Sequence, residues 1–392
     1  MKLSPTFVAL ALAAVSFANP VSRASSGYVQ ASGQAFTLDG AAYTVYGENS
    51  YWVGLSGYST TQMNQAFSDI ATAGGTTVRT WGFNDVNATV VSNYPIYYQY
   101  FDGANATINT GATGLENFDN VIAAAKANNI KLIVTLTNNW SDYGGMDMYV
   151  NSILGYGQPH DYFYSNSEVI TAYKNYINAF VSRYVDEPTI FGWELANEPR
   201  CTGTTSATSG TCTTTTITTW IEDISSYIKS IDSNHLVGLG DEGWFNWTNT
   251  TDFAYTGSQG IDFDANLAVS SIDFGTFHLY PFTWDETTPS ADVWGQGWIE
   301  NHRGAQATYN KPVIMEEFGV LADQNQTQTY KDWYSTAITD GLSGVLIWQA
   351  GSNYSSGNTP DDGFAASVYP GTDLYELVQT YAAEIKARDG TS

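Results

Sequence analysis

Eight short apolar runs that end in polar residues recur along the chain, and this repetition constrains the fold more than any other feature of the sequence. The runs are rich in β-branched and aromatic residues, which is typical of buried strands. They span residues 43–49, 76–83, 130–138, 190–198, 235–243, 273–281, 311–319 and 344–349. Segments with helical periodicity separate most of them, for example residues 115–128, 169–184 and 220–230. Strands that alternate with helices predict a parallel sheet, and eight such units predict a closed barrel rather than an open sheet.

We therefore predict an α/β fold, a single (β/α)8 TIM barrel with elaborated loops at the C-terminal ends of its strands. Residues 28–392 form one predicted domain, and about 370 residues is a length that such barrels commonly reach. The one low-complexity tract, residues 202–219, lies between the fourth strand and its helix and is interpreted as a long loop.

The first 18 residues have the features of an export signal. Lys2 precedes an apolar run over residues 7–17, and small residues occupy Ser16 and Ala18. A membrane anchor is the alternative, but the run is shorter than the roughly 20 residues that cross a bilayer. We predict a signal peptide at residues 1–18, a short N-terminal or pro-segment at 19–27, and a secreted, extracellular protein without a membrane partner.

Charge and composition narrow the range of partners. Asp and Glu number 39 against 14 Lys and Arg, a net charge of −25, which argues against nucleic acid or an anionic membrane. Aromatic residues make up 15% of the chain, with 12 Trp and 27 Tyr. Such rings either pack in the core or stack on the C–H faces of carbohydrate. A neutral substrate therefore fits the chain better than a charged one.

Cysteine and histidine usage predicts a disulfide and no metal. Cys201 and Cys212 lie in the same threonine-rich stretch, and in an oxidising compartment they most simply pair to close a short loop. The four histidines are far apart in sequence, without metal-ligand spacing; they are His160, His235, His278 and His302. We expect neither a metal nor another cofactor.

Polar and aromatic side chains cluster at the C-terminal end of every predicted strand, which in a (β/α)8 barrel is the catalytic face. They are Asn49, Arg79, Trp81, Asn138 to Trp140, Asn197, Glu198, Asp241 to Trp244, His278, Tyr280, Glu316, Glu317 and Trp348. Strand ends are often polar, so one such residue means little. The same pattern on all eight runs indicates a site.

Two of these strand ends offer carboxylates for acid and base chemistry. Hydrolysis of a glycosidic bond requires a proton for the leaving oxygen and a carboxylate beneath the anomeric carbon. Glu198 ends a buried strand and is followed by Pro199, which cannot continue a hydrogen-bonded ladder. The seventh run ends in Glu316 and Glu317. Because side chains alternate along a strand, we expect these two to point to different sides, so that at most one is catalytic.

The ordered set of strand-end motifs resembles glycoside hydrolase family 5, and most closely its secreted fungal endo-β-1,4-mannanases. The resemblance spans roughly residues 28–385. The segments that carry it are residues 79–85 (RTWGFND), 139–145 (NWSDYGG), 193–200 (WELANEPR), 276–281 (TFHLYP) and 316–319 (EEFG).

This resemblance implies a retaining double displacement in which Glu198 is the acid/base and Glu317 the nucleophile. It places Arg79 near the nucleophile, although Arg79 could instead be the structural partner of buried Glu194. It further implies that Asn197 binds the substrate 2-hydroxyl, that His278 and Tyr280 line the central site, and that Trp348 forms the floor under the attacked sugar.

Other expected contacts lie farther along the cleft. Arg200 resembles a residue that binds a sugar on the leaving-group side, with a surface salt bridge as the alternative. Five tryptophans could stack on sugars, of which about two would be core residues instead; they are Trp52, Trp81, Trp140, Trp244 and Trp284.

The predicted function is hydrolysis of internal β-1,4-mannosidic bonds in mannan, glucomannan and galactomannan by a monomeric enzyme, with residues 28–392 as the catalytic domain. An endo-β-1,4-glucanase on the same barrel is the alternative within the class, because mannose and glucose differ at one hydroxyl. A wall-associated carbohydrate-binding protein without catalysis is the alternative from another class. Such a protein would have lost one of the two acids, and both are present.

Overall fold

A computed structural model describes residues 26–205 and 207–391. The predicted signal peptide at residues 1–18, and residues 19–25 of the predicted N-terminal segment, lie outside the described residues.

The eight predicted strands are present and form one parallel sheet. They are β1 (Val45–Asn49), β2 (Thr77–Trp81), β3 (Lys131–Thr135), β4 (Ile190–Glu194), β5 (Leu236–Gly238), β6 (Gly275–Leu279), β7 (Val313–Phe318) and β8 (Gly344–Ile347). Each is shorter than its apolar run, because the polar residues that end the run continue into a loop. The prediction of eight strands from eight runs is confirmed.

The sheet curls into a barrel. Its hydrogen-bonded order is β5-β4-β3-β2-β1-β8-β7-β6, with every pair parallel. Single backbone bonds join the two end strands, from Asp273 N to Val237 O at 2.8 Å and from His278 N to Glu242 O at 3.3 Å. All eight C-terminal strand ends therefore meet on one face, as the (β/α)8 prediction requires.

Helices surround the barrel and bury their apolar stripes against it. They are α1 (Thr60–Thr72), α2 (Leu115–Ala127), α3 (Gly145–Leu154), α4 (Tyr162–Ser165), α5 (Ser167–Tyr184), α6 (Thr214–Ile231), α7 (Phe263–Ala268), α8 (Ala291–Tyr309), α9 (Gln326–Asp340) and α10 (Asp373–Asp389). The periodic segments predicted as helices correspond to α2, α5 and α6. Local signals set their limits: the Asn166 side chain caps the first N–H groups of α5, and Gly341 ends α9 in the left-handed conformation.

The N-terminal end of the barrel is closed by an antiparallel hairpin. Strands Val29–Ser32 and Ala35–Leu38 carry Val29 and Phe36 into a separate buried cluster with residues from the barrel strands, among them Phe191 and Phe274. Burial of each such side chain contributes about 1.5–3 kcal/mol. This end is a packed plug, so access to the barrel mouth comes from the opposite face.

The loops on that opposite face carry their own structure, which confirms the predicted elaboration. A three-stranded sheet of Asp85–Asn87, Gln99–Asp102 and Asn105–Ile108 follows β2, and the hairpin Asn353–Tyr354 with Gly357–Asn358 follows β8. The predicted disulfide between Cys201 and Cys212, with Cα atoms 5.7 Å apart, closes the threonine-rich loop after β4.

A β-bulge in β7 corrects the expectation that Glu316 and Glu317 point to different sides. Along β6 and β7, Phe277 pairs with Met315 and the next residue, His278, pairs with Glu317, so Glu316 has no partner in the ladder. A bulge of this kind interrupts the alternation of side chains. Both glutamates therefore face the barrel interior, where both contact the Arg79 guanidinium.

Within the described residues, none of the helices has the length and apolar character needed to cross a bilayer.

Candidate active site

A cavity of about 680 Å³ opens at the C-terminal face of the barrel. Nine residues to which the sequence assigned a role line it: Trp81, Trp140, Asn197, Glu198, Arg200, Tyr280, Trp284, Glu317 and Trp348. Asn138 and Glu242, also among the polar strand-end residues, line it as well. Four others lie behind its wall: Trp52, Arg79, Trp244 and His278. The polar strand ends thus converge on one concave site.

Glu198 lies in the loop after β4 and is held by two side chains. Its backbone N–H donates to Gly240 O at 2.8 Å, and the chain adopts the left-handed conformation at Glu198, with φ of 48°. Its two carboxylate oxygens are 2.7 Å from His278 Nδ1 and 2.6 Å from Trp140 Nε1. One oxygen of Glu198 lies within 4.8 Å of one oxygen of Glu317.

Glu317 ends β7 opposite Glu198 and is held by donors from two other strands. The Arg79 guanidinium donates to one carboxylate oxygen, and the Tyr280 hydroxyl donates to the other at 2.9 Å. His278 Nδ1 lies 3.6 Å from the same oxygen as Tyr280. These contacts favour the ionised carboxylate and fix its direction.

Arg79 performs both of the roles that the sequence left as alternatives. Its Nε donates to Glu194 at 2.8 Å, while its Nη1 binds Glu317. Its Nη2 donates to Asn197 Oδ1 at 2.8 Å. Glu316 lies 3.4 Å from the same Nε. A guanidinium has five donors in a fixed plane, so one buried arginine can fix several acceptors at once.

The two candidate catalytic acids differ in their electrostatics. Burial raises the pKa of Glu317, and the charges of His278 and Arg79 oppose that rise only in part. Burial also raises the pKa of Glu198, but the hydrogen bond and charge of His278 outweigh it and lower the pKa to about 2. Burial lowers the pKa of His278, whereas the charge of Glu317 and the bond to Glu198 raise it well above its ordinary value. Both shifts favour the form of the pair in which His278 is an imidazolium and Glu198 a carboxylate.

His278 is completely buried, so the expectation that it lines the central site is corrected. It follows the alternation of β6, which turns its ring into the barrel beneath the two acids. The structure gives it contacts with Glu198 and Glu317 instead of an exposed face.

Arg200 forms a salt bridge, but within the cavity wall rather than on the surface. Its Nε donates to Glu242 at 2.9 Å, and a second nitrogen binds the same carboxylate. The guanidinium carbon lies 4.7 Å from the ring centroid of Trp140 and 4.3 Å from that of Trp244. Trp244 is 1% exposed and supports Arg200 from behind, so it has no face for a sugar and its predicted stacking role is corrected.

Trp52 is also a core residue, so its predicted stacking role is corrected. It is completely buried in the helical turn Tyr51–Gly54, with its ring edge-on to Tyr58. The preceding residue, Tyr51, lines the cavity and lies parallel to Trp348, with centroids 5.5 Å apart. The turn rotates consecutive side chains to opposite sides, so the aromatic pair was recognisable in the sequence but its orientation was not.

Several cavity residues were not singled out from the sequence. Glu242 belongs to the polar cluster noted at the end of the fifth run, and its pairing with Arg200 is the feature that the sequence did not reveal. Asp362, in the loop after β8, accepts the Trp348 indole N–H at 2.9 Å. The remaining ones are Tyr51, Asp142, Tyr143, Thr204, Thr283 and Phe364. Tyr51 follows β1 by two residues, and Asp142 and Tyr143 belong to the segment 139–145, but no periodicity indicates which loop side chains turn into the cavity.

Among the described residues, the one group of three or more side chains with metal-ligand atoms close together is Glu198, His278 and Glu317, within 4.8 Å of one another. The Arg79 guanidinium contacts Glu317 directly. Its fixed positive charge opposes a second cation at the same carboxylate.

Comparison with known proteins supports one family. The family profile described as Cellulase (glycosyl hydrolase family 5) matches residues 46–354. The chain is 40% identical to mannan endo-1,4-beta-mannosidase A of Aspergillus aculeatus, over 99% of this chain and 100% of that protein. It is 42% identical to mannan endo-1,4-beta-mannosidase A of Hypocrea jecorina, over 91% of this chain and 76% of that protein.

Solved structures agree with the sequence comparisons. The endo-1,4-beta-mannanase of Rhizomucor miehei superposes with a TM-score of 0.83 at 41% identity, covering 93% of this chain and 100% of that chain. The hyperthermostable endo-1,4-beta-D-mannanase of Thermotoga petrophila gives a TM-score of 0.77 at 32% identity, covering 87% and 99%. By its closed parallel barrel, its paired carboxylates and these similarities, the chain belongs to glycosyl hydrolase family 5.

Proposed function

We propose that this protein is a retaining endo-β-1,4-mannanase in which Glu317 is the nucleophile and Glu198 the acid/base. The observation that carries the mechanism is the proximity of the two carboxylates, whose nearest oxygens lie within 4.8 Å. Retaining glycosidases have carboxyl groups about 5–5.5 Å apart, whereas inverting enzymes separate them by about 6.5–9.5 Å to admit a water molecule. The substrate assignment is supported by the mannan-cleaving relatives.

In the first step, Glu317 attacks the anomeric carbon while Glu198 protonates the leaving oxygen. Arg79 and Tyr280 hold the Glu317 carboxylate ionised and aimed at the cavity. Asn197 has its amide oxygen fixed by Arg79, and its amide nitrogen donates to Asn138 Oδ1 at 3.0 Å. This fixed amide borders the cavity, where a substrate 2-hydroxyl can meet it.

The proton for this step is held by the pair of His278 and Glu198. The pair has an imidazolium and a carboxylate when the proton lies on His278, and a neutral imidazole and a carboxylic acid when it lies on Glu198. Movement along the 2.7 Å bond converts one form into the other without a proton from solvent. As the glycosidic oxygen leaves, it gains negative charge next to Glu198, and this charge draws the proton toward the substrate.

In the second step, Glu198 accepts a proton from water, which attacks the glycosyl-enzyme. Glu317 has then become a neutral ester, and loss of its negative charge lowers the pKa of Glu198. Glu198 is thus more acidic after the first step, when a base is needed. Attack from the side of Glu198 returns the original anomeric configuration.

The walls of the cavity suit a neutral polysaccharide. Trp81, Trp140, Trp284 and Trp348 border it together with Tyr51, and flat aromatic faces bind the C–H faces of sugars. Release of mannobiose and mannotriose from mannohexaose, with cellohexaose intact, would support the mannanase. Hydrolysis of cellohexaose alone would reassign the substrate to β-1,4-glucan, and binding of mannan without any turnover would favour a carbohydrate-binding protein.

The two acid roles are distinguished by azide. Glu198→Ala, supplied with an aryl mannoside whose leaving group needs no proton, should form the glycosyl-enzyme and then a β-glycosyl azide. Glu317→Ala should be folded but should not give that product, because the covalent intermediate cannot form. The reverse pattern would show that the two roles have been exchanged.

The setting of the enzyme is part of the same proposal. We infer a secreted monomer that acts on β-mannan outside the cell, from the export-like residues 1–18 and the net charge of −25. N-terminal sequencing of protein from the culture medium, together with its mass in solution, tests both points.

A further inference from the structure

The described part of the threonine-rich loop after β4, residues 202–205 and 207–211, is fixed to the loop after β3 and to helix α3. Asn139 Nδ2 donates to Thr202 O at 3.1 Å, and Ser141 N donates to Thr204 Oγ1 at 3.1 Å. The backbone N–H of Thr205 donates to Asp147 Oδ2 at 2.9 Å. Since Thr204 lines the cavity, these bonds set the position of one wall of the site.

His160 lies at the centre of this network and is completely buried. Its Nδ1 is 2.6 Å from Asp147 Oδ1, and its Nε2 is 2.9 Å from Asn139 Oδ1. The loop passes directly over the ring at Gly203, where a Cβ atom would lie 2.2 Å from His160 Nδ1. Glycine is therefore required at this point of a loop that otherwise consists largely of threonine.

The orientation of the Asn139 amide determines the protonation of His160. Asn139 Oδ1 also accepts the backbone N–H of Arg200 at 3.0 Å, and Asn139 Nδ2 donates to Thr202 O. A flipped amide would place its NH2 group against the Arg200 N–H and its oxygen against the Thr202 carbonyl. The atom that faces His160 Nε2 is consequently an acceptor, and Nε2 must carry a hydrogen.

The other ring nitrogen, Nδ1, faces Asp147 Oδ1 at 2.6 Å. Burial raises the pKa of Asp147, but the hydrogen bonds from His160 and Thr205 outweigh it and lower the pKa, so the carboxylate is the favoured form and accepts from Nδ1. With hydrogens on both nitrogens, the ring is an imidazolium paired with Asp147. The other nearby groups are the Tyr164 ring, with centroids 6.3 Å apart, and Asp161, whose carboxylate binds Ser209 instead. Asp147 alone therefore balances the buried charge.

We propose that His160 is a positioning residue for the leaving-group side of the cleft, acting as a doubly protonated ring that fixes Asn139 and Asp147. Through Asn139 it holds the Arg200 backbone, and through Asp147 it holds the loop that carries Thr204. This inference rests on the proposed function, because Arg200 follows the acid/base Glu198 by two residues and its guanidinium lies over Trp140, which binds that acid.

Nitrogen-15 NMR of histidine-labelled wild-type protein tests the protonation directly. The chain has four histidines, and His160 is assigned through its proximity to Gly203 and Tyr164. Two directly bonded hydrogens on the ring are expected at the pH of the activity assay. A neutral ring, with one nitrogen unprotonated, would overturn the proposal, and this result depends on neither a variant nor any enzymatic activity.

The positioning role is tested by kinetics on two substrates. In His160→Gln, the KM for mannohexaose should rise about tenfold, the effect of losing roughly one hydrogen-bonded sugar contact. Hydrolysis of an aryl β-mannobioside, which places no sugar on the leaving-group side, should keep its kcat/KM within about twofold. The matched control is Asp161→Ala, which removes both side-chain acceptors of Ser209, outside the cavity lining, and should change neither value.

Equal losses on both substrates, or no loss on either, would contradict a role on the leaving-group side. Unfolding of each variant by urea shows whether a kinetic change reflects a loss of folded protein. Failure of the wild-type enzyme to hydrolyse either mannoside would refute the proposed function, and the NMR result would still decide the state of His160.

Discussion

Removal of the Tyr280 hydroxyl should make the enzyme more sensitive to acid. The hydroxyl donates to Glu317 at 2.9 Å, and both side chains are less than a tenth exposed. A hydrogen bond to a charged group contributes about 1.5–3 kcal/mol, and 1.36 kcal/mol corresponds to one pKa unit. In Tyr280→Phe, which keeps the ring, the pKa of Glu317 should therefore rise by about one to two units.

The direction of the effect on activity follows from the proposed role of Glu317 as the nucleophile. The hydroxyl stabilises only the ionised carboxylate, so its loss favours the protonated form. Because attack requires the ionised form, the acid limb of the kcat/KM profile should move to higher pH by about one to two units. The alkaline limb, which reports the proton shared by His278 and Glu198, should stay in place.

The assay is kcat/KM on an aryl β-mannoside across the acid range, compared with wild type and with Tyr98→Phe. Tyr98 is a matched control, because its buried hydroxyl donates to Gly54 O at 3.0 Å and has no contact with either acid. An acid limb that is unmoved or shifted to lower pH would refute the reasoning. Equal loss at every pH would show that Tyr280 acts on the substrate rather than on Glu317.

Three further predictions concern stability and binding. Replacement of Cys201 and Cys212 by serine opens a loop whose ends are 11 residues apart in sequence, and it should lower the free energy of unfolding by about 3 kcal/mol in urea titration. A change below about 1 kcal/mol would show that the hydrogen bonds of the loop suffice to hold it without the disulfide. Trp284→Ala should raise the KM for mannohexaose, whereas Trp52→Ala should lower the free energy of unfolding by about 3–5 kcal/mol and leave the KM of the folded enzyme unchanged. Burial raises the pKa of Glu316 well above its ordinary value, so the free energy of unfolding of the wild type should fall as pH rises from the ordinary carboxyl pKa toward the raised one. Glu316→Gln should remove this loss of stability. A variant that is less stable than wild type in thermal unfolding would indicate an ionised Glu316 paired with Arg79.

The barrel, and the position of Glu198 and Glu317 at its mouth, could be predicted from the length and spacing of the apolar runs. A buried parallel strand needs a continuous apolar run, and the first polar residue after it lies at the C-terminal face. Glu198 and Glu317 lie among the polar residues at the C-terminal ends of two such runs. The threonine-rich loop has no periodicity, so its tethers to Asn139 and Asp147 were not visible in the sequence.

Alternation along strands and turns was less reliable for single side chains. A period of two predicts opposite sides for Glu316 and Glu317, but one inserted residue in the ladder places both inside. Tyr51 and Trp52 are likewise adjacent in sequence, and the helical turn that contains them places the larger ring, that of Trp52, in the core. Such local shifts depend on neighbouring strands, which a single segment does not encode.

The bulge also explains how one site can hold so many acids. Glu194, Glu316, Glu317 and Glu198 lie around Arg79 and His278, so four carboxyl groups share two cations in a buried space. Full ionisation of all four would leave uncompensated negative charge in a medium of low polarity, so the site retains protons. Burial and the charge of Glu194 raise the pKa of Glu316 well above its ordinary value despite the charge of Arg79, so the protonated form is favoured at Glu316. Arg79 is thereby left to Glu194 and Glu317, and its charge favours the ionised form of Glu317, the proposed nucleophile.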